Sequence, residues 1–313
     1  MPFLIDPDHH DLVRHIEQRR FFWLDLEGPK EEQLQRLAHR FGLHPLTFED
    51  AKEFGQRPKF EEYYGYVFMV VYGVDPGTSS GGSLLREVHM IISGDYVITI
   101  HRRPFAALAE VRARYYKQRV RSEQFLIYKI LDAVTATFVP MLTRIDDDID
   151  EIEEQVIEEP TEEVLRRIFS LKRDLIAMRR VVAPERDLLA RDAERIADIQ
   201  GLEADDRLYF RDLYDSLIRV SELVDSYRDL LSGATDLYLS TVANRHGEIN
   251  KQLTMIATVF LPLTFLTGFF GQNFTFLTEH VLTTTLSFIV FGVGLFVASI
   301  VAFVIYFRRM GWM

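Results

Sequence analysis

Two long runs without a charged side chain lie near the end of the chain, and they constrain its structure most. Gln252 to Thr278 and Val281 to Phe307 each contain 27 residues with no Asp, Glu, Lys or Arg, and only Glu279 and His280 separate them. A helix of about 20 apolar residues is long enough to cross the hydrocarbon core of a bilayer. The sequence therefore predicts two transmembrane helices and excludes a purely soluble protein.

The basic residues around these runs predict their orientation. Arg245 and Lys251 precede the first run and Arg308 and Arg309 follow the second, whereas residues 271–280 contain neither Lys nor Arg. Positive charge is enriched on the cytoplasmic side of membrane spans. We therefore expect a multi-pass protein of the cell's inner (plasma) membrane, in contact with the lipid bilayer, with both termini cytoplasmic.

Composition narrows the classes of function. The chain has no cysteine, which excludes disulfides and thiolate metal sites. Its 47 acidic residues outnumber 36 basic ones, and the formal charge of -11 argues against a nucleic acid partner. A phosphate-binding glycine loop, a serine nucleophile elbow and a His-Glu-x-x-His helix are all missing from the sequence, so we predict no enzyme and no catalytic residues.

The segment before the membrane runs predicts an α/β domain followed by helices. Strand patterns occur at Phe21–Leu26, Tyr66–Val74, Val88–Ser93 and Tyr96–His101, and a helical pattern occurs at Glu31–Phe41. After about residue 122 the pattern is helical, with a turn at residues 159–161 and one continuous helix from about residue 205 to 270. The predicted segments are a cytosolic α/β domain (1–121), acidic antiparallel helices (122–203), a stalk helix (204–252), transmembrane helix 1 (253–270), an extracytoplasmic loop (271–280), transmembrane helix 2 (281–307) and a basic cytoplasmic tail (308–313).

The stretch from Ile145 to Glu163 is strongly acidic, with eleven acids and no base in 19 residues. Two interpretations stay open. The stretch is either a solvated helical surface or a negative field that concentrates cations.

Small and polar residues recur along the first membrane run at the spacing of one helix face. Ten steps of three or four residues cover 35 residues, a mean of 3.5, which is the period of a straight seam on supercoiled helices. We call these residues the polar seam: Asp236, Ser240, Ala243, Gly247, Asn250, Leu253, Ala257, Leu261, Thr264, Gly268 and Gly271.

The polar seam has two interpretations. Small residues suit a close helix–helix interface in the membrane, whereas recurring Asn, Asp and Thr suit a water-filled pore. Two spans cannot enclose a path, so a pore requires several copies of the chain around an axis. The seam ends in Gly271-Gln272-Asn273, where a ring of amide oxygens at the outer mouth can bind a hydrated cation such as Mg²⁺ without holding it too tightly.

These motifs resemble those of the CorA family of divalent-cation channels over nearly the whole chain. The family's Gly-Met-Asn-aromatic hallmark corresponds to Gly271-Gln272-Asn273-Phe274. The other similar segments are Phe41–Pro45 with Glu49-Asp50, Arg57–Lys59, Ile145–Asp150, Tyr209–Asp215, Asp236–Ser240, Leu253-Thr254 and Leu261–Thr264.

The resemblance implies a funnel-shaped homopentamer that passes Mg²⁺, and often Co²⁺ or Ni²⁺, into the cell. It implies that Gly271, Gln272 and Asn273 form the selectivity filter and that Asp236, Gly247, Asn250, Leu253, Ala257, Leu261, Thr264 and Gly268 line the pore and its gate. It also implies that intracellular Mg²⁺ holds the pore shut. Asp50 facing Asp212 across a subunit interface, with Glu49 and Asp132 as a second site, would be the regulatory metal ligands.

The sequence also departs from the family pattern in informative places. Gln272 replaces Met in the hallmark, Asn250 stands where an apolar gating residue is common, and Gly247 stands where Asn is common. A polar residue weakens a gate that works by dewetting, so Leu253 would carry more of the apolar barrier. Two alternatives therefore stay open: a Zn²⁺ transporter resembling ZntB, with or without proton coupling, and a membrane-anchored metal sensor that does not conduct.

Overall fold

The computed structural model describes residues 3–4, 21–75, 84–117, 123–197, 207–272, 275–276, 279–280 and 284–312. The chain divides into two compact units, Met1–Thr235 and Asp236–Met313. The strands are β1 (Phe3–Leu4), β2 (Phe22–Glu27), β3 (Lys59–Tyr63), β4 (Tyr66–Val74), β5 (Leu85–Ile92) and β6 (Tyr96–His101). The helices of the first unit are α1 (Glu31–Phe41), α2 (Pro45–Lys52), α3 (Ala106–Lys117), α4 (Glu123–Ala136), α5 (Phe138–Glu158), α6 (Glu162–Ala197) and the first part of α7 (Arg207–Phe270).

The six described strands form one mixed sheet in the order β1-β2-β6-β5-β4-β3. Strands β1, β2 and β6 run parallel, and β6, β5, β4 and β3 pair antiparallel in succession. Every residue of β4 and β6 is buried. Such fully buried strands are expected where both faces of a sheet are covered.

Helix α4 packs closely against β4 because Gly73 has no side chain. A Cβ atom at Gly73 would lie 2.6 Å from the ring of Phe105, 2.8 Å from Thr137 Oγ1 and 2.9 Å from the Val134 carbonyl oxygen. Thr137, at the break between α4 and α5, accepts a hydrogen bond from the Val74 amide at 2.8 Å and donates one to the Val134 carbonyl at 2.6 Å. The helices are thus fixed to the end of β4, which lies beside the edge strand β3.

The acidic stretch forms the outer surface of α5. Ile145, Ile149, Ile152 and Val156 are buried on one face of the helix, and the acids lie on the others. Arg167 of α6 neutralises part of this charge, since its guanidinium lies 2.7 Å from Glu151 and 3.3 Å from Asp148. The remaining acids are consistent with both sequence interpretations.

Three described helical segments are long and apolar enough to cross a membrane, one more than the sequence predicts. In the additional segment, Phe125–Glu158, 56% of the most apolar 18-residue stretch is buried inside the protein. We therefore assign this segment to the core of the first unit. In the most apolar 18-residue stretches of Leu208–Phe269 and Thr285–Arg309, only 6% and 0% of the residues are buried, as expected for helices that lie in lipid.

The second unit contains the C-terminal half of α7 and a second apolar helix. The latter begins as α8 (Thr285–Ser287), continues through a π-helical segment at Phe288–Gly294 and ends as α9 (Leu295–Arg309). The ring of Phe307, buried near the end of α9, stacks on Trp312 with centroids 5.9 Å apart.

Candidate ion pathway and metal-binding carboxylates

The polar seam lies on a fully exposed face of α7, and apolar residues on the neighbouring faces, such as Phe260 and Phe265, are exposed as well. All eleven seam residues are exposed, including the two large apolar ones, Leu253 at 58% and Leu261 at 70%. Met255, Pro262 and Leu263, on the opposite side of the same helix, are half-buried or buried within the unit. Helix α7 therefore presents its small and polar residues as a continuous outward surface.

The hydroxyl groups near the seam are oriented by the helix itself. Thr264 Oγ1 donates a hydrogen bond to the Phe260 carbonyl at 2.8 Å, and Thr254 Oγ1 donates to the Asn250 carbonyl at 2.8 Å. Because each proton is used inside the helix, the oxygen lone pairs remain available. Thr264 thus offers an oxygen acceptor along the seam, which is the kind of group that Mg²⁺ or its water shell binds.

The three glycines of the polar seam, Gly247, Gly268 and Gly271, occur at their positions for different structural reasons. At Gly271 a Cβ atom would lie 2.9 Å from the Thr267 carbonyl oxygen, to which the Gly271 amide donates a 2.9 Å hydrogen bond. Gly271 is therefore required where α7 ends. Within the described residues, a Cβ atom at Gly247 or Gly268 would have no neighbour within 4 Å.

The predicted filter is only partly described. Gly271 and Gln272 are exposed at the end of α7. The backbone amide of Gln272 donates a hydrogen bond to the Phe269 carbonyl at 3.3 Å. Asn273 and Phe274 lie outside the described residues.

The four candidate regulatory acids, which we call the sensor carboxylates, are Glu49, Asp50, Asp132 and Asp212. Asp50, near the end of α2, is half-buried and forms an ion pair with Lys59 of β3, with Oδ2 and Nζ 2.5 Å apart. Lys59 also lies 3.3 Å from Glu61. Glu49 is exposed, and within the described residues its side chain has no ion pair.

Asp132 and Asp212 both lie near an aromatic cluster between α4 and α7. Asp132 Oδ2 lies 3.0 Å from Lys129 Nζ one turn earlier in α4. The ring of Tyr128 packs against Tyr209 of α7 with centroids 4.9 Å apart. Burial raises the pKa of the Tyr128 phenol, and the negative charges of Asp132 and Asp212 raise it further. Asp212 itself is exposed, and within the described residues it has no ion pair.

A single chain does not assemble the sensor carboxylates into a metal site. Within the described parts of the chain, no three His, Asp or Glu side chains come together as a ligand set. Oxygen donors of this type fit a hard divalent cation. Two of the four, Asp50 and Asp132, already hold a lysine ammonium group, so a cation would compete with these lysines. The sequence did not predict Lys59 and Lys129 as competitors.

Comparison with known proteins identifies the family. A family model described as CorA-like Mg²⁺ transporter protein matches residues 18–309. The chain is 34% identical over 262 residues to the cobalt/magnesium transport protein CorA of Thermotoga maritima, covering 82% of this chain and 74% of that protein. It is 32% identical over 314 residues to the putative metal ion transporter YfjQ of Bacillus subtilis, covering 97% and 95%.

A solved structure shares the fold. The complete structure of the CorA magnesium transporter from Methanocaldococcus jannaschii matches with a TM-score of 0.79 at 24% identity, over 93% of this chain and 91% of that one. Together with an α/β domain, a long helix and two apolar helices, these likenesses define the class as a membrane transport protein. The chain belongs to the CorA family, as the sequence motifs predicted.

Proposed function

We propose that the protein is a homopentameric channel for divalent cations that passes Mg²⁺ into the cell across the inner (plasma) membrane, with Co²⁺ and Ni²⁺ as further cargo. Both chain termini would lie in the cytoplasm. The pore would run along the symmetry axis, lined by the polar seam, with Gly271, Gln272 and Asn273 as its outer filter.

The single observation that carries this proposal is that small and polar residues share one exposed face of an apolar membrane helix, between neighbouring faces rich in exposed apolar side chains. Asn250, Thr264 and the other polar seam residues are costly next to lipid, so they require either water or a protein partner. Five copies of α7 around an axis provide both, whereas two spans of one chain cannot enclose a path.

The seam glycines support the presence of neighbouring copies. A glycine inside a helix costs about 0.5–1 kcal/mol relative to alanine. Gly247 and Gly268 bear this cost although the described residues of their own chain leave space for a methyl group. In an assembly, such positions allow close approach of a second helix or leave room for a hydrated ion.

The sensor carboxylates supply the mechanism of gating in this proposal. Asp212 and Glu49 have no ion pair within the described residues, and Asp50 and Asp132 each have one lysine partner. We propose that Asp50 of one subunit and Asp212 of the next share Mg²⁺ in the closed state, with Glu49 and Asp132 as a second site. Loss of the metal would leave like charges facing each other and favour opening.

Two measurements test this proposal. Purified protein in proteoliposomes should take up Mg²⁺, reported by an entrapped dye, and native mass spectrometry in detergent should show five subunits. A conducting protein that is a monomer or dimer would contradict the pentamer, and a pentamer without uptake of Mg²⁺, Co²⁺, Ni²⁺ or Zn²⁺ would favour the alternative of a non-conducting metal sensor.

The departure at Gln272 favours a second candidate, a Zn²⁺ transporter. An amide in place of a thioether changes the donor beside the filter asparagine, and with it the choice of ion. Uptake of Zn²⁺ in preference to Mg²⁺, increased by an inward proton gradient, would support a proton-coupled zinc transporter. Preference for Mg²⁺ with no effect of the gradient supports the channel.

A further inference from the structure

A large basic cavity lies in the first unit, and none of its lining residues is a sensor carboxylate or a residue of the polar seam. Its volume is about 1050 Å³, and seven of its nineteen lining residues are arginines. The cavity is formed by the loop before β3, the start of β5, the residues after β6, the middle of α6 and one side chain of α7. Six of its arginines are Arg57, Arg102, Arg103, Arg179, Arg180 and Arg228, and we call the site the arginine cavity.

The arginines are only partly neutralised by neighbouring acids. Asp225 lies 2.8 Å from Arg179 and 2.9 Å from Arg228. The seventh arginine, Arg86, pairs with Asp75 at 2.9 Å. Seven arginines against these two acids and Glu87 leave a local charge of about +4 when each carboxylate counts as one negative charge.

Glu87 is the only carboxylate among the described lining residues, and its oxygens are already occupied. It accepts hydrogen bonds from the backbone amides of Gly55 and Gln56 and from the ring of His89. Burial raises the pKa of Glu87, but the hydrogen bonds from His89 and from the backbone amides of Gly55 and Gln56 outweigh this effect, so the pKa lies below its usual range. Glu87 therefore holds the loop before β3 through these hydrogen bonds, and within the described residues none of them comes from an arginine of the cavity.

Three arginines of the cavity have no counter-charge. Within the described residues, the guanidinium groups of Arg57, Arg103 and Arg180 form neither an ion pair nor a hydrogen bond. These residues come from three separate segments of a chain whose formal charge is -11. Like charges brought together by folding repel each other, and an anion relieves that repulsion. Guanidinium groups match phosphate oxygens in charge and in bidentate geometry.

The cavity also has an apolar wall. Leu85, Ile176, Val181 and Pro184 line it beside the arginines, and the guanidinium of Arg102 stacks 4.8 Å above the ring of Phe54. Pockets for small organic ligands have volumes of about 300–1,000 Å³ and combine apolar walls with a few placed polar groups. The arginine cavity thus fits a ligand with a cluster of phosphates and an organic body.

We propose that the arginine cavity binds a nucleoside di- or triphosphate. The phosphates would contact Arg57, Arg103 and Arg180, and the nucleoside would lie against Ile176, Val181 and Pro184. Such a ligand would join the loops of the sheet to α6, so that binding stabilises this part of the first unit.

The test uses the full-length protein in detergent with EDTA, titrated calorimetrically with ATP, ADP, pyrophosphate and inorganic phosphate. We expect ATP and ADP to bind, with pyrophosphate at least tenfold weaker than ADP and phosphate weaker still. Arg57→Gln and Arg180→Gln should each weaken ATP binding about tenfold or more. Both side chains are exposed and unpaired within the described residues, so these variants should fold normally.

The matched control is Arg173→Gln, an exposed arginine of the same helix that does not line the cavity. It should leave ATP affinity unchanged. An equal loss of ATP affinity in Arg57→Gln, Arg180→Gln and Arg173→Gln would overturn the proposal. So would a wild-type protein that binds none of the four probes. Pyrophosphate that binds as tightly as ADP would exclude recognition of the nucleoside and also overturn it.

A further outcome concerns a second copy of the chain. A synthetic peptide of residues 145–163 that binds in place of nucleotide would assign the arginine cavity to the acidic segment of another subunit and refute the nucleotide. Because the readout is binding and not ion uptake, the result does not depend on whether the protein conducts Mg²⁺.

Discussion

The Asp50 carboxylate lies 2.5 Å from the ammonium group of Lys59, across the contact between α2 and the edge strand β3. Lys59 therefore occupies the position where a divalent cation would approach the first of the sensor carboxylates. A divalent cation and an ammonium group cannot both bind closely to one carboxylate oxygen. Lys59 thus lowers the affinity of any metal site that includes Asp50.

We expect Lys59→Met to increase the sensitivity of the protein to Mg²⁺. A partly exposed ion pair is worth about 0–1 kcal/mol, which corresponds to an increase in Mg²⁺ affinity of up to about fivefold. Methionine retains an apolar side chain for packing near Phe68, whose ring centre lies 5.3 Å from Lys59 Nζ. The measurement is the Mg²⁺ concentration that half-protects the full-length protein from protease.

The control for this experiment is Lys52→Met. Lys52 also forms a 2.5 Å ion pair, but with Glu31, which is not one of the sensor carboxylates. Lys52→Met should leave unchanged the Mg²⁺ concentration that gives half-maximal protection from protease. A decrease in Mg²⁺ sensitivity for Lys59→Met would mean that Lys59 supports the site and does not compete for it.

Asp212→Asn tests the other side of the proposed interface. Asp212 is exposed and has no ion pair within the described residues, so its loss should not unfold the subunit. We expect weaker Mg²⁺ protection of α7 against protease and currents that persist at millimolar internal Mg²⁺, because one metal ligand and one repelling charge are removed together. Asp215→Asn, three residues away on α7, is the control. An unchanged protease pattern and unchanged Mg²⁺ inhibition in Asp212→Asn would reduce Asp212 to a structural role.

Asn273→Ala tests the proposed filter, which lies partly outside the described residues. Removing one amide from each subunit takes away the group proposed to recognise the hydrated cation. We expect Mg²⁺ uptake into proteoliposomes to fall at least tenfold while the oligomer survives. Cobalt hexammine, which mimics a hydrated cation, should no longer compete.

The matched variant is Gln272→Met, which should have a milder effect because the Gln272 side chain need not face the axis. If Asn273→Ala keeps full uptake and full competition by cobalt hexammine, the filter is formed by other residues.

The parts of the fold that the sequence predicted are those with a continuous apolar pattern. Strands at Tyr66–Val74 and Tyr96–His101 and the helix at Glu31–Phe41 occur with the predicted bounds. The predicted helix from about 205 to 270 is observed at Arg207–Phe270. In each case the spacing of the apolar residues follows from which side of the strand or helix is buried. This spacing is visible in the sequence, so these elements could be predicted from it.

The parts that the sequence missed depend on contacts between distant segments. Strand β3 is an edge strand with charged side chains, so its alternation is weak. Helix α2 buries only Thr47 and Ala51, although its start has a readable signal, with Pro45 at the first turn and His44 Nδ1 accepting the Leu46 amide. The sequence predicts the acidic helices from residue 122, and the first of the helices there, α4, ends at Ala136 and packs on β4 of the sheet.

The candidate sites divide in the same way into those that lie on one element and those that are assembled from distant segments. The polar seam lies on one helix, so its spacing alone predicted its common face. The partners of the sensor carboxylates and the arginine cavity come from segments far apart in the chain, and only folding brings them together. The adjacent pairs Arg102-Arg103 and Arg179-Arg180 are visible in the sequence, but nothing in their spacing predicts that they line one cavity.

Glu185 is a carboxyl group buried in α6. It accepts a hydrogen bond from the backbone amide of Tyr72 in β4. Burial raises the pKa of Glu185 well above its usual range, although the Tyr72 amide opposes this shift. A raised pKa in the folded state means that the neutral form stabilises the fold below the unfolded-state pKa. That contribution is lost as the pH rises through the folded-state pKa.

We therefore expect Glu185→Gln to raise the melting temperature of the full-length protein, and to raise it more at pH 8 than at pH 5. Glutamine is neutral at every pH and its side-chain oxygen can still accept the Tyr72 amide, so only the cost of ionisation is removed. Glu163→Gln, at an exposed position of the same helix, should show no such pH dependence. A melting temperature of Glu185→Gln that stays parallel to the wild type across this pH range would show that Glu185 is not held neutral by burial.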